Sequence, residues 1–175
     1  MNEIKIRQER PSDYAEVYEL VKISFATSSH ADGDEQDYLN EVRQKPAFVP
    51  ELSLVAETAE GRLVGQIVLY ETDITTPGGK RTELLLSPIC VHPGYFRRGI
   101  ARAMIERAFA IAGGMGYGAV FLCGNPALYA RMGFRPTYEY GILHVGDPKG
   151  NAMWSMVREI YPGALEGITG SINTI

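Results

Sequence analysis

The segment from Leu84 to Cys123 constrains this chain most. Leu84–Val91 is almost wholly apolar and reads as a buried strand that ends in a His-Pro-Gly turn. Ile100–Ala112 then follows a helical period. Ile100, Met104, Ala108 and Ile111 share one face, widened by Ile105 and Phe109, with Arg102, Glu106 and Arg107 opposite. Gly113-Gly114-Met115-Gly116 stops the helix, and Ala119–Cys123 is again an apolar strand. Strand, helix and strand at this spacing form a crossover, which requires two parallel strands in one sheet.

The remainder reads as antiparallel strands and helices. Glu3–Gln8 alternates, with Ile4 and Ile6 on one face. Arg10-Pro11-Ser12-Asp13 opens a helix with Ser12 or Asp13 near its cap, and Ala15, Val17, Leu20, Val21 and Phe25 form its stripe. Residues 26–34 are polar. A second helix, Glu35–Gln44, carries Tyr38, Leu39 and Val42 and is ended by Pro46 and Pro50. Leu52–Glu57 and Leu63–Thr72 form a hairpin about Ala59-Glu60-Gly61-Arg62. A turn at 76–80 leads to the strand Thr82–Val91, where Pro88 implies a bulge or an edge. Pro126–Met132 is a short helix. Tyr140–Val145 and Ala152–Ile160 are candidate strands about an Asp147–Asn151 turn, and 162–175 has no clear period. The expected class is α+β: a mixed, mostly antiparallel central sheet flanked by helices. With 175 residues and no internal repeat, one domain over 1–175 is expected, its core at 84–136 and its C-terminal strands and tail at 137–175.

Charge and cysteines narrow the function. The formal net charge is −4 with no basic block, which argues against nucleic-acid binding. No run of about 18 apolar residues offers a membrane span. The start, Met1-Asn2-Glu3-Ile4-Lys5, has no apolar leader. Cys90 and Cys123 lie in apolar strands and read as buried thiols of a reducing compartment, so the cytoplasm is expected. His30, His92 and His144 show no metal-ligand spacing, so no metal is expected.

The turn before the long helix has a chemistry of its own. A helix N-terminus carries unpaired N–H groups and partial positive charge, so it holds anions. Gly99 removes the side chain that would block close approach, and Arg97 and Arg98 add charge. Two cations there oppose the helix dipole unless an anion binds; otherwise they are ordinary surface charges. No Gly-x-x-x-x-Gly-Lys-(Ser/Thr) loop occurs, so the arrangement suits a pyrophosphate outside that class.

The run Phe96-Arg97-Arg98-Gly99-Ile100-Ala101 resembles the acyl-CoA-binding motif of the GNAT N-acetyltransferase superfamily, (Gln/Arg)-x-x-Gly-x-(Gly/Ala). Gly99 and Ala101 match, and Phe96 stands where Gln or Arg is usual. Downstream, Gly124-Asn125-Pro126-Ala127-Leu128-Tyr129 and Gly133-Phe134 resemble the family segment in which a Tyr precedes a Gly-Phe pair. The element order agrees from Glu3 to about Pro136. The ending Met156–Gly167 resembles the YhbS-like branch of predicted N-acetyltransferases.

The resemblance implies the GNAT-like acyl-CoA N-acyltransferase fold, with a splayed parallel strand pair at the cofactor. It implies an N-acetyltransferase with acetyl-CoA as donor and an unidentified primary amine, small molecule or peptide, as acceptor. Homodimers are common in the family. Cofactor contacts fall on Ile89, Cys90 and Val91 through the main chain, on Phe96–Ala101, and on Asn125, which alternatively caps the helix after it. Tyr129 becomes the general acid that protonates the leaving thiolate; a packed aromatic is its other reading. A backbone N–H near Ile89–Val91 would meet the acetyl oxygen. Some members carry a Glu eleven residues before the first motif position. Here that place is Leu85, with Glu83 on the same strand face, Glu71 and Asp73 as rivals, and water as a further choice. His92 reads as an exposed turn residue. His30, with Asp32, Asp34 and Glu35, would form either an acidic rim for a cationic acceptor or a solvated loop. Two other readings remain: a non-catalytic CoA-binding sensor, and transfer of a longer acyl group.

Overall fold

The computed structural model describes residues 3–29 and 31–174. Nine strands hydrogen-bond in one mixed sheet, and the chain groups into two compact units.

The first unit holds the chain up to Tyr70 together with Ser87–Ile111. It contains β1 (Ile4–Gln8), β2 (Phe48–Thr58), most of β3 (Leu63–Thr76), the end of β4 (Gly79–Val91), α1 (Tyr14–Phe25), α2 (Glu35–Gln44) and most of α3 (Ile100–Gly114). β1 pairs antiparallel with β2 from Ile4↔Thr58 to Gln8↔Leu54, and β2 with β3 through Val55↔Gln66 and Ala56↔Gly65. The helical stripes become core. Val17, Val21, Leu39, Val42, Met104, Ile105 and Ala108 are fully buried. A Cβ on Gly65 would lie 3.0 Å from Met104, so α3 packs close against that face of β3. Its neighbour Gln66 points to the other face.

The second unit holds Glu71–Leu86 and the chain from Ala112 onward. It adds β5 (Ala119–Cys123), α4 (Pro126–Ala130), β6 (Arg135–Pro136), β7 (Ile142–His144), β8 (Ser155–Glu159) and β9 (Gly170–Ile172). β4 and β5 are parallel at Leu84↔Val120 and Leu85↔Phe121, as the crossover requires. β8 pairs antiparallel with β5 and β6, and β9 joins β3 and β7. At Gly170 a Cβ would fall 1.9 Å from the Thr75 carbonyl oxygen, so only glycine lets β9 approach β3 there.

Some sequence-based boundaries shift. β2 begins at Phe48 and runs through Pro50, which was expected to be a breaker. The β2–β3 register shifts between Phe48 and Ser53, and that irregularity accommodates a residue without an N–H. Tyr140 ends a short 3-10 turn (Thr137–Tyr140) rather than opening a strand, and left-handed Gly141 separates it from β7. Cys123, expected to be buried, is exposed, because β5 leaves the apolar interior at its last residue.

Candidate active site

In the first unit, a candidate group lies where β4 turns into α3. His92 N–H donates to the Val64 carbonyl at 2.8 Å, tying the end of β4 to β3. Its Nδ1 accepts the Gly94 N–H at 3.0 Å and closes the turn Pro93–Tyr95. Burial and the Arg62 guanidinium hold His92 below the usual imidazole range, which suits an accepting Nδ1. The Arg98 guanidinium stands 4.9 Å over the Tyr95 ring. Phe96 is extended and 52% exposed, and its N–H donates to the Pro93 carbonyl.

Two residues then take left-handed backbone: Arg97 at φ 60 and Gly99 at φ 77. Such a conformation costs about 1–2 kcal/mol in a residue with a Cβ. The Gly99 carbonyl accepts the Ala103 N–H at 3.0 Å, opening α3. Nothing lies within 4 Å of the place a Gly99 Cβ would take. That leaves open space before a helix start, beside two arginines, where an anion can approach.

The end of β4 supplies main chain more than side chains. Cys90 is buried, and burial pushes its thiol up to about 12, so it stays protonated and is no nucleophile. Ile89 and Val91, on the other face, are half-buried.

In the second unit, a candidate group is built around Tyr129. Gly124 follows β5, and its N–H donates to the Trp154 carbonyl at 3.0 Å. The Asn125 Oδ1 accepts the Ala127 N–H at 2.9 Å, so Asn125 caps α4, the local reading of its two. One turn later comes Tyr129. Its ring lies against Gly124 and meets Phe134 edge-on at 5.8 Å. Its carbonyl accepts the Met132 and Phe134 N–H groups, while Gly133 at φ 88 lets the chain fold back. Arg158 Nη1 donates to the Met132 carbonyl at 3.1 Å and braces the turn. Among the described residues the Tyr129 hydroxyl has no hydrogen-bond partner. Burial holds this phenol above its usual pKa, so it is a protonated donor at neutral pH.

The expected carboxylates are occupied. Glu83 is 2% exposed; its Oε1 accepts from Arg81 Nε at 3.0 Å, and its Oε2 accepts the N–H groups of Gly118 and Ala119 at 2.8 and 2.9 Å. This is a clamp on the start of β5, which argues against Glu83 as general base: with both oxygens engaged, a base would have to break the clamp. Glu71 accepts from the Tyr117 hydroxyl at 2.5 Å, and Asp73 from Thr82 Oγ1 at 2.7 Å. At the start of α2, Asp32, Asp34 and Glu35 converge, yet Glu35 turns back to accept the Asp32 and Gly33 N–H groups. His30 lies outside the described residues.

Sequence reasoning missed the support role of Gly124, although its place at the head of the Gly-Asn-Pro turn was a signal.

The model of the acetyltransferase (GNAT) domain matches residues 5–137. The uncharacterized N-acetyltransferase YhbS of Escherichia coli K12 is 28% identical over 167 residues, covering 95% of this chain and 93% of that protein. The crystal structure of the E. coli GNAT family N-acetyltransferase YhbS in complex with CoA superposes with a TM-score of 0.85 at 25% identity, over 99% of this chain and 90% of that one. A GNAT family acetyltransferase from Brucella melitensis, solved in complex with acetyl-CoA, shares the fold with a TM-score of 0.76 at 24% identity, over 98% of this chain and 96% of that one. With the family model matched over residues 5–137, this chain belongs to the GNAT acetyltransferases.

Proposed function

We propose that the protein transfers the acetyl group of acetyl-CoA to a primary amine by direct attack. The turn through left-handed Arg97 and Gly99 carries the reading. It leaves room for the donor's pyrophosphate at the N-terminus of α3, between two arginines. The complexes with CoA and acetyl-CoA in the two structural relatives support the same donor.

In this reading the main chain of Ile89–Val91 pairs with the pantetheine arm, and one of its N–H groups meets the acetyl oxygen as charge develops there. Phe96, Arg98, Ile100 and Ala101 border the pyrophosphate, chiefly through backbone. Asn125 acts by capping α4 and so setting Tyr129. The amine nitrogen forms a bond to the acetyl carbon, and the carbon–sulfur bond breaks. The Tyr129 hydroxyl gives its proton to the departing thiolate. The nitrogen's surplus proton leaves to water, because the nearby carboxylates are held in other bonds. Tyr129 regains a proton from solvent, and the products are an N-acetyl amide and CoA. Two cysteines outside any disulfide suit the cytoplasm. Among the described residues, no helix is long and apolar enough to cross a membrane.

Calorimetry with acetyl-CoA, CoA and ATP tests the donor. Both CoA species should bind, and Arg98→Glu should weaken them by about tenfold or more. Equal binding of ATP, or no binding of acetyl-CoA, would end the reading. Tyr129→Phe should lower turnover about 100-fold while leaving acetyl-CoA affinity unchanged. A variant with full turnover would remove Tyr129 from the acid role.

A further inference from the structure

Two contacts of His92 cannot both be hydrogen bonds. Its Nδ1 stands 3.0 Å from the Gly94 nitrogen, and its Nε2 stands 3.0 Å from Nη2 of Arg62, in the turn between β2 and β3. Burial and the Arg62 charge hold His92 below the usual imidazole range, so at pH 7 it has one proton for two ring nitrogens. The Gly94 N–H is held by the backbone of the turn Pro93–Tyr95, so Nδ1 accepts and Nε2 carries the proton. A guanidinium offers hydrogens only. Arg62 and His92 therefore set N–H against N–H, and an oxygen lying against both would satisfy the two at once.

The charge around this pair says what kind of oxygen. The Arg62 and Arg98 guanidiniums stand 5.9 and 4.9 Å from the centre of one ring, that of Tyr95. Arg62, Arg97 and Arg98 are exposed, and among the described residues none of them forms an ion pair with a carboxylate. The Glu16 carboxylate, which reaches the residue after Arg62, is turned to the Leu63 N–H at 2.9 Å. All these groups belong to the first unit. Charge and hydrogen-bond direction thus favour an anion there independently.

Acetyl-CoA carries one such anion beyond its pyrophosphate. It is a phosphate monoester on the ribose, with about −1.5 to −2 charges at pH 7 and three acceptor oxygens. One ribose separates it from the pyrophosphate. Arg98 spans the same interval, since it precedes Gly99 in the pyrophosphate turn and covers Tyr95. We propose that Arg62, Arg98 and the His92 Nε2–H bind the 3′-phosphate of CoA, with the Tyr95 ring holding both guanidiniums in place. Arg62 and His92 are then specificity residues for the acyl donor, separating CoA thioesters from their 3′-dephospho forms. This rests on the acetyl-CoA reading of the same site.

Calorimetry with CoA and 3′-dephospho-CoA tests it. Wild type should bind CoA about tenfold more tightly or better, and high salt should narrow the gap. Arg62→Gln should lose about tenfold on CoA and nothing on dephospho-CoA, while Arg62→Lys should keep part of the preference. Equal affinities in wild type, or the same loss on both ligands in Arg62→Gln, would overturn the proposal. Thermal unfolding of ligand-free protein is the second measurement. If Arg62 opposes His92 until an anion arrives, Arg62→Gln should leave Tm within about 2 °C. A fall of more than about 4 °C would mean that Arg62 already has its partner in the free protein, and would also overturn the proposal. The two readings fail differently. If wild type binds neither ligand, the transferase reading has failed and takes the subsite with it. If wild type binds both equally, the transferase reading stands and the 3′-phosphate subsite does not.

Discussion

The ring of Tyr129 occupies the space a side chain would need at Gly124: a Cβ there would stand 2.6 Å from Cε2 and 3.0 Å from Cδ2. Gly124 is thus the seat of the proposed acid. Gly124→Ala must push the ring away, and Phe134 packs edge-on to that ring. The substitution should cost about 1–3 kcal/mol and lower turnover at least tenfold, with acetyl-CoA affinity kept. Chemical denaturation and steady-state kinetics on one preparation check both.

Tyr129 also sets an alkaline limit. Burial raises its pKa, so the proton it donates is present below the usual tyrosine range and is lost only as pH rises through the higher folded value. Turnover should hold up to about pH 10 before this group limits it. A limb near pH 8 that vanishes in Tyr129→Phe would contradict the burial argument.

Glu83 should govern stability, not chemistry. Glu83→Ala leaves the Gly118 and Ala119 N–H groups without this acceptor and removes the ion-pair partner of Arg81, which keeps its bond to the Ala164 carbonyl. A loss of about 3 kcal/mol is expected, lowering Tm by about 6–12 °C. Glu83→Gln should keep turnover per folded molecule within about twofold; the loss of about 100-fold expected of a general base would restore that role.

Acid should loosen the β1 end. Arg7 donates to Asp13 at 2.8 and 3.0 Å and to Glu57 at 2.9 Å, and these bonds hold both carboxylates below their usual pKa. A lowered carboxylate stabilises the fold above its unfolded pKa and loses that stabilisation as pH falls through the folded one. Asp13→Asn should cost about 1 kcal/mol at pH 7, at the low end because the cluster's rim meets solvent, and should flatten the stability curve below about pH 4. Urea titrations at several pH values measure this.

The two thiols should separate cleanly. Cys123 is exposed, while Cys90 is buried with its thiol pushed up to about 12. Iodoacetamide at pH 8 should add one label per folded chain, at Cys123, and a second only after unfolding. Peptide mass mapping would show otherwise if Cys90 labelled first.

The sequence revealed what depends on short-range pattern. The period of α3 is strong enough to fix its start at Ile100, and the Asn125 cap and the Tyr129 turn depend on residues within one segment. Elements defined by distant partners were hidden. β6 is two residues long and exists through Met156 and Val157, and β9 through Ile74 and β7. Glu83 read as a candidate base because its partners, Gly118 and Ala119, come 35 and 36 residues later as bare N–H groups. Cys123 looked buried because the four residues before it are.

The boundaries between the two units fall after Tyr70, Leu86 and Ile111. All three lie inside regular elements, in β3, β4 and α3, and none in a loop. Domains that evolved by joining usually meet at exposed linkers. Here any graft, inserted module or new terminus at a boundary would sever a strand or a helix. Chimaeras between relatives should therefore cross over in the turns at 59–62 or 77–78, which cut no strand.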